Sequence, residues 1–187
     1  MTKEVVIDTP RLRLRNWREA DIAPFIRHTN TPAVMRWLGG VLAPDELADR
    51  VRTRMVRWQE ERGHTFWVVE RKEDDALLGF CGIKLADGAG STVTGAHEVG
   101  WRLREDAWGR GYAKEAAVAS LDYAFQRLHA PAVVALTVAG NQASWGLMER
   151  LGMERREDLD YVDPQWPGSM NPVIVYRMER TRWQGRT

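Results

Sequence analysis

The chain has 187 residues, of which 44% are hydrophobic and 28% are charged, the proportions of an ordinary globular protein of about one domain. Its 27 basic and 26 acidic side chains leave a formal net charge of +1. This balance argues against a dedicated nucleic-acid-binding protein, which usually carries a strongly basic surface. A chain of this length and composition can bury a sizeable core, so disorder is excluded.

Metal, disulfide and membrane signals are weak in this sequence. Cys81 is the only cysteine, so no intrachain disulfide can form, and the four histidines show no metal-ligand spacing. The first residues lack the apolar run of a signal peptide, and no apolar run approaches the roughly 20 residues of a membrane-spanning helix. We therefore expect a cytoplasmic protein with no metal, no nucleic-acid partner and no membrane partner.

Hydrophobic periodicity predicts a strand and two helical regions in the first third of the chain. Leu12 and Leu14 alternate with arginines, which is typical of a half-buried strand. A helical region is expected over about 21–38, ended by a Gly-Gly pair. A second helix is expected from Pro44 to a stop at Gly63. Its apolar face has helical spacing and consists of Leu47, Val51, Met55 and Trp58.

The rest of the chain alternates between strands and helices. Helices are expected over 111–129 and 141–151, and the glycine-rich stretch 87–95 and the proline-containing stretch 164–172 are expected to be loops. Strands are expected at 65–70, 77–85, 97–104, 133–139, 153–161 and 173–179. This order predicts an α/β (α+β) protein, a sheet with helices on its faces. No repeat or linker divides it, so we expect a single domain over 1–187 with a core at about 9–180.

The segment 98–116 is the most informative part of the sequence. A predicted strand, Glu98-Val-Gly-Trp-Arg-Leu, leads to the loop Trp108-Gly-Arg-Gly-Tyr-Ala, which opens directly into a helix. Unpaired N–H groups at a helix start can bind an anion, glycines let the backbone approach a phosphate, and Arg110 adds positive charge. A simple glycine-rich turn before a helix explains the loop equally well. The nucleoside triphosphate and dinucleotide fingerprints are both missing.

These residues resemble the GNAT acyltransferase superfamily. The strand, the loop and the later Asn141-Gln-Ala-Ser-Trp-Gly-Leu-Met-Glu-Arg-Leu-Gly-Met follow the family's motifs in order, and the resemblance covers about residues 9–178. The opening Thr9-Pro-Arg-Leu-Arg-Leu-Arg and the Asn-x-x-Ser helix look like the RimJ/RimL branch, which acetylates protein N-terminal amines. Trp108 departs from the Gln or Arg that often begins the wider family's loop motif, but it is frequent in this branch.

The resemblance implies a single-domain GNAT-like fold: a mixed, mostly antiparallel twisted sheet of six to seven strands flanked by helices, with a splayed strand pair at the cofactor cleft. It implies acetyl-CoA as cosubstrate and no metal. The backbone amides of 109–114 would hold the pyrophosphate, the strand 99–103 would pair with the pantetheine arm, and Asn141 would bond the arm from the other side. The implied acetyl-CoA residues are Val99, Trp101, Leu103, Gly109, Arg110, Gly111, Tyr112, Ala113, Lys114 and Asn141.

The implied reaction is attack of a neutral amine on a thioester. An α-amine with a pKa of about 8 is roughly one-tenth neutral at pH 7, so it needs only modest help from a base. Glu98 is the candidate base; alternatively, its carboxylate only pairs with a neighbouring arginine. His97 is the second choice, because it should point to the opposite sheet face. Ser144 is the candidate acid for the departing thiolate, or else only caps its helix. Cys81 is expected to be a small core residue.

The acceptor is less determined than the reaction. Trp37, Trp67, Trp101 and Trp166 are candidates to line its cleft, with the loops 87–95 and 164–172 as walls. The first hypothesis is a protein or peptide N-terminal α-amine, and the second is a small-molecule amine such as a drug, polyamine or amino acid analogue. A polycation would need an acidic pocket, and the sequence shows acidic clusters only at Glu105-Asp106 and 157–160. A third hypothesis is a non-catalytic CoA-binding regulatory module. Dimers are common in the branch that the chain resembles, so a homodimer is an open alternative.

Overall fold

The computed structural model describes residues 4–185, which are organised by one eight-stranded sheet. The strands are β1 (Val5–Asp8), β2 (Leu12–Arg15), β3 (Phe66–Arg71), β4 (Leu77–Leu85), β5 (His97–Leu103), β6 (Ala132–Val138), β7 (Glu154–Arg155) and β8 (Val173–Glu179). Their order across the sheet is β1-β2-β3-β4-β5-β6-β8-β7. The helices are α1 (Glu19–Thr29), α2 (Pro32–Met35), α3 (Pro44–Val51), α4 (Arg57–Arg62), α5 (Tyr112–Gln126), α6 (Gln142–Arg150) and α7 (Arg180–Gln184).

The pair β5–β6 interrupts an otherwise antiparallel sheet. These two strands run parallel, and they pair only at His97–Val133 and Glu98–Val134. Beyond Glu98 the pairing stops, although both strands continue for several residues. The backbone of 99–103 therefore borders a gap in the sheet. The predicted mixed, mostly antiparallel sheet with a splayed strand pair is confirmed.

Helices cover the two faces of the sheet and bury two apolar cores. On one face α5 packs against the central strands, and Val99, Leu103, Ala117 and Leu121 belong to this larger core. On the other face α1 and α3 pack over Phe66, Val68 and Phe80. Successive side chains of a strand point to opposite faces, so Glu98, Gly100 and Arg102 of β5 face the α1 side. None of the helices in residues 4–185 has the length and apolar composition that crossing a bilayer requires.

The number of strands differs from the expected six to seven because of β1. This strand is short, lies at the sheet edge and has no alternating pattern to reveal it, and its pairing with β2 is irregular between Val5 and Ile7. It forms because β2 offers it a paired edge.

The expected strand over 153–161 is almost entirely wrong. Of these residues only Glu154–Arg155 forms a strand with β8; Tyr161 makes an isolated bridge with Val173, and a 3-10 turn lies between them at Glu157–Leu159. The Arg155 guanidinium pairs with the Asp160 carboxylate, and an Asp160 oxygen accepts the Val175 N–H at 3.1 Å. These side-chain bonds replace the strand ladder with a turn.

The expected helical region 21–38 is divided in two. The first helix ends at Thr29, and Thr31 caps α2 by accepting the Val34 N–H at 3.3 Å. Pro32 begins α2 because proline fits the first turn of a helix but cannot continue a preceding one. The region expected as one helix over 44–63 continues through a π-helical segment, Arg52–Val56, and ends at Gly63 as predicted, in the left-handed conformation.

Candidate active site

The glycine loop after β5 has the geometry of an anion-binding helix start. Gly109 and Gly111 have φ of +71° and +79°, a conformation that favours glycine. A Cβ added to Gly109 would meet no atom within 4 Å, so the space in front of the loop is open. In residues 4–185 the first N–H of α5 to find a backbone acceptor is that of Glu115, which donates to the Gly111 carbonyl at 3.0 Å. The N–H groups of 109–114 are left available for a ligand.

Side chains from outside the loop fix its position. The Arg11 guanidinium donates to the Arg110 carbonyl at 2.9 Å and to the Glu115 carboxylate at 2.7 Å, and it lies 4.6 Å from the Tyr112 ring centre. Trp108, the departure from the wider family's motif, donates its indole N–H to the Leu103 carbonyl at 2.9 Å. The loop is therefore held both by Arg11, the residue before β2, and by the end of β5. The sequence did not predict this role for Arg11, although the residue lies in the Thr9-Pro-Arg motif.

Several expected cofactor residues can offer only backbone atoms. The side chains of Val99 and Leu103 are buried towards α5, and Trp101 packs against the same core. Tyr112 is buried beneath the Arg11 guanidinium, so its ring is not free to enter the gap between β5 and β6. Among residues 108–114, the exposed side chains are those of Trp108, Arg110 and Lys114.

Asn141 and Ser144 follow the carboxyl end of β6, across the gap from β5. Asn141 occupies the N-cap position of α6, but its side chain makes no capping bond. Ser144 lies in the first turn, where its N–H donates to the Asn141 carbonyl at 3.0 Å. Within residues 4–185 its hydroxyl makes no hydrogen bond, so the alternative of a capping serine finds no support in the structure.

Glu98 lies where β5 and β6 separate, and its environment perturbs its acidity. Burial raises the pKa of its carboxyl to about 7, an effect that nearby Lys84 opposes and Asp87 reinforces. Lys84 is directly opposite it on β4. Within residues 4–185 no arginine lies within ion-pair distance of the carboxylate, so the structure does not support the alternative of a simple Glu–Arg pair.

Lys84 is a buried cation beside Glu98. Its side chain is only 5% exposed, and its ammonium lies 3.7 Å from an Asp87 carboxylate oxygen. The ammonium also sits 4.8 Å from the Trp58 ring centre and 5.5 Å from that of Phe66. The Asp87 carboxylate is shared with Arg54, whose guanidinium is 3.2 Å away. The sequence contained a signal for this residue, a lone charge inside the apolar strand β4.

Tyr161, in the β7–β8 connection, lies close enough to Glu98 for this carboxylate to affect its acidity. A Cβ on Gly88 would lie 2.8 Å from the Tyr161 hydroxyl and 3.6 Å from an Asp163 carboxylate oxygen, so the loop 87–95 touches this connection. Burial, helped by Glu98, Asp163 and Asp87 and opposed by a hydrogen bond with Ser91, raises the pKa of Tyr161 to about 12. Tyr161 therefore lies among carboxylates from three segments that are distant in the sequence, in addition to the acidic clusters at Glu105-Asp106 and 157–160.

The candidate aromatic residues divide into two groups. Trp67 is 0% exposed in the α5-side core, with its ring 4.9 Å from that of Tyr123, so it cannot line a cleft. Trp101 packs on that same side, away from the face of Glu98. Trp37 instead lies against Gly140, where a Cβ would be 2.5 Å from its ring, and Trp166 lies against Gly39 at 3.3 Å. Trp37 and Trp166 thus remain candidates.

The other candidate reactive groups lie away from this face. His97 points to the opposite face from Glu98, with its ring 6.1 Å from that of His64, and burial lowers the pKa of both imidazoles. Cys81 is buried in the core, and burial raises the pKa of its thiol to about 12. In the described part of the chain, no group of three His, Cys, Asp or Glu side chains is placed to hold a metal ion.

The sequence matches an acetyltransferase family model and curated relatives. Residues 11–154 match the family model described as an acetyltransferase (GNAT) domain. The "Uncharacterized protein YkkB" of Bacillus subtilis (strain 168) is 35% identical over 182 residues, covering 94% of this chain and 96% of that protein. The "Uncharacterized N-acetyltransferase p20" of Bacillus licheniformis is 26% identical over 180 residues, covering 95% and 97%.

Solved structures share the fold. The acetyltransferase from Agrobacterium tumefaciens str. C58 has a TM-score of 0.74 at 28% identity, with 96% of each chain covered. A structure from Vibrio cholerae, proposed to be a ribosomal-protein-serine acetyltransferase, has a TM-score of 0.70 at 18% identity, covering 96% of this chain and 99% of that one, and this likeness shows the fold alone. With its splayed strands, glycine loop and matching relatives, the chain belongs to the GNAT family of N-acetyltransferases, whose domains use acetyl-CoA.

Proposed function

We propose that this enzyme transfers the acetyl group of acetyl-CoA directly to a primary amine, and that its acceptor is a protein or peptide N-terminal α-amine. The observation that carries the proposal is the gap between β5 and β6, which opens at Glu98 and has the glycine loop beyond the far end of β5. A ligand lying along β5 would therefore reach from an anion-binding loop to a carboxylate suited to accept a proton.

The chain's own residues fit acetyl-CoA at this place. The N–H groups of 109–114 would bind the pyrophosphate with the Arg110 and Lys114 side chains nearby, and the free backbone edge of 99–103 would pair with the pantetheine arm. Asn141 has a side chain with no capping bond, so its amide is available to the arm from the β6 side. The cosubstrate supplies the activated thioester.

Glu98 and Ser144 divide the proton transfers. The Glu98 carboxylate accepts a proton from the acceptor ammonium, directly or through one water, and the neutral amine attacks the thioester carbon. The new C–N bond forms as the C–S bond breaks, and the nitrogen then gives up its remaining extra proton. The Ser144 hydroxyl donates its proton to the departing thiolate and takes up the nitrogen proton through one water, which regenerates Ser144, and the proton held by Glu98 returns to solvent. Most of the rate enhancement comes from holding amine and thioester together in the gap.

The acidity of Glu98 supports an α-amine as acceptor. Burial places the pKa of Glu98 at about 7, within roughly one unit of an α-ammonium at about 8. Proton transfer to Glu98 is then only slightly uphill from an α-ammonium and more strongly uphill from a lysine ammonium, whose pKa is about 10.4. The site is thus better matched to an N-terminus, in agreement with the resemblance to the RimJ/RimL branch.

A small-molecule amine is the second candidate acceptor. Asp87 acts on Glu98 and would attract a compact cation, although Lys84 and Arg54 offset much of its negative charge. A peptide with a free N-terminus and an internal lysine separates the candidates when it is incubated beside small amines. We expect mass spectrometry to show acetylation at the α-amine only; acetylation of small amines alone would favour the second candidate.

Binding of acetyl-CoA can be tested by thermal shift. At a hundredfold excess over Kd, binding adds about 2.7 kcal/mol of stability, which for this size raises Tm by roughly 5–11 °C. We expect a smaller rise in Gly109→Ala, because a Cβ would strain the left-handed backbone and occupy the open space of the loop. Gly63→Ala is the matched control, since Gly63 also has a positive φ of +73° and an open surrounding. The absence of any shift with millimolar acetyl-CoA in the unaltered protein would overturn the proposed site.

A further inference from the structure

Lys84 and Glu98 form a cross-strand pair on the face of the sheet that borders the proposed acceptor site. They are direct partners in the antiparallel ladder of β4 and β5, so both side chains leave the sheet on the same side. The Cβ atoms of such partners are about 4.5–5.5 Å apart. A lysine is almost never as deeply buried as Lys84 unless other groups stabilise its charge.

The surroundings of Lys84 hold its ammonium at this position. The rings of Trp58 and Phe66 lie on it at cation–π distances, and they prevent the side chain from extending to solvent. Its one carboxylate contact, Asp87 at 3.7 Å, is longer than a hydrogen bond, and Asp87 also pairs with Arg54. The ammonium is therefore fixed near Glu98 while only partly neutralised by Asp87.

From this geometry we propose that Lys84 is a positioning residue whose fixed ammonium keeps a large fraction of the Glu98 carboxyl ionised at neutral pH. The inference rests on the proposed role of Glu98 as base for the acceptor amine. It adds one requirement to the role of Glu98 as base: a buried cation on the neighbouring strand.

The groups facing Glu98 act in opposite directions. Lys84 and Arg54 favour its carboxylate, whereas burial and Asp87 favour the protonated acid. Tyr161, next to Asp163 on the β7–β8 connection, is kept neutral because burial and these carboxylates raise its pKa. Burial lowers the pKa of Lys84, and Asp87 and Glu98 counteract this effect, so the cation and the two carboxylates support one another. Without Lys84, only Arg54 would favour the carboxylate, and it is already paired with Asp87.

The test is a direct titration of the Glu98 carboxyl by NMR in protein with 13C-labelled glutamate, with the resonance assigned by its loss in Glu98→Gln. We expect Lys84→Met to raise the pKa of Glu98 by at least one unit, which lowers the carboxylate fraction near pH 7 several-fold or more. Lys84→Arg should restore most of the original value. Lys72→Met is the control, because Lys72 follows the end of β3, away from Glu98, and pairs with Asp8. An unchanged titration of Glu98 in a folded Lys84→Met protein would overturn the proposal.

Asp87→Asn provides a test of opposite sign if Lys84→Met does not fold. Removing this negative charge should move the titration of Glu98 to lower pH; a move to higher pH would contradict the proposed balance of charges. The pH profile of kcat/KM then separates the two proposals. If Lys84→Met shifts the NMR titration and the acidic limb of the profile together, both stand. If only the NMR titration shifts, Lys84 controls Glu98, but Glu98 is not the base.

Discussion

The molecule contains two clusters of charged side chains, each built around a buried cation, that differ in how well the charges are satisfied. We call Arg15, Asp21 and Glu70 the structural cluster, and Lys84, Asp87 and Glu98 the cleft cluster. In the structural cluster, Arg15 is 4% exposed and donates to both carboxylates of Asp21 and Glu70 at 2.7–2.8 Å. In the cleft cluster, the contact between Lys84 and Asp87 is 3.7 Å, and Glu98 has no described ion pair.

This difference separates stability from reactivity. Arginine can satisfy two carboxylates through its planar fork, so the structural cluster joins β2, β3 and the start of α1 with its charges fully paired. Burial raises the pKa of Glu98 to about 7, and Lys84, a point charge, makes no described hydrogen bond to the carboxylate that would lower this pKa further, so the carboxyl is close to its titration midpoint at neutral pH. Fully paired charges hold the fold, whereas incompletely paired charges beside a gap can exchange protons.

The difference between the two clusters is tested most directly by neutralising Glu98, the carboxylate of the cleft cluster that borders the gap. Glu98→Gln should lower kcat/KM by about 10²–10⁴-fold, the usual range for loss of a general base, while leaving the free energy of unfolding nearly unchanged. In the unaltered enzyme kcat/KM should rise as pH increases through about 7, because the carboxylate forms there, and this limb should vanish in the variant. Steady-state kinetics over pH 5–9 checks both. Full activity in Glu98→Gln would assign the proton transfer to another group.

The matched change in the structural cluster should lower the stability of the protein and leave its activity nearly unchanged. Glu70→Gln leaves the buried Arg15 paired with the Asp21 carboxylate but beside a neutral amide at position 70, and we expect a loss of about 1.5–3 kcal/mol in the free energy of unfolding, measured by urea denaturation. At a temperature where the protein stays folded, kcat should change little. Glu46→Gln is the control, since Glu46 forms an exposed pair with Arg50 on α3 and should cost well under about 1 kcal/mol. Equal costs for the two changes would contradict the distinction.

The smallest effect is expected at Ser144, across the gap from both clusters. Because a thiol has a pKa of about 8.5, its thiolate departs near neutral pH with little need for a proton donor. Ser144→Ala should therefore lower kcat by less than about tenfold and leave Tm unchanged, since the hydroxyl makes no described hydrogen bond. Kinetics beside thermal unfolding checks this. A loss above about 100-fold would give Ser144 a larger role than a supporting acid.

The sequence was sufficient where local chemistry determines structure. The bounds of β4 and β8 agree with the predicted strands 77–85 and 173–179, because apolar, β-branched runs bounded by turns specify buried strands. Gly63 ends its helix as predicted because only a left-handed residue fits there. The glycine loop and the adjacent helix start follow from 109–114 alone, since positive φ and unpaired N–H groups are properties of neighbouring residues.

Contacts between distant segments decided the rest. The strand expected over 153–161 does not form as predicted, because Asp160 bonds to Arg155 and Val175. Trp67, a candidate to line the cleft, lies in the core instead. Glu98 could be chosen from its motif, but its partner Lys84 depends on the register of β4 and β5 across an eleven-residue connection, which no local pattern fixes. Sequence periodicity determines which residues form a strand or helix. The tertiary packing determines which side chains are buried and which charged groups lie together, and these set the acidity of Glu98.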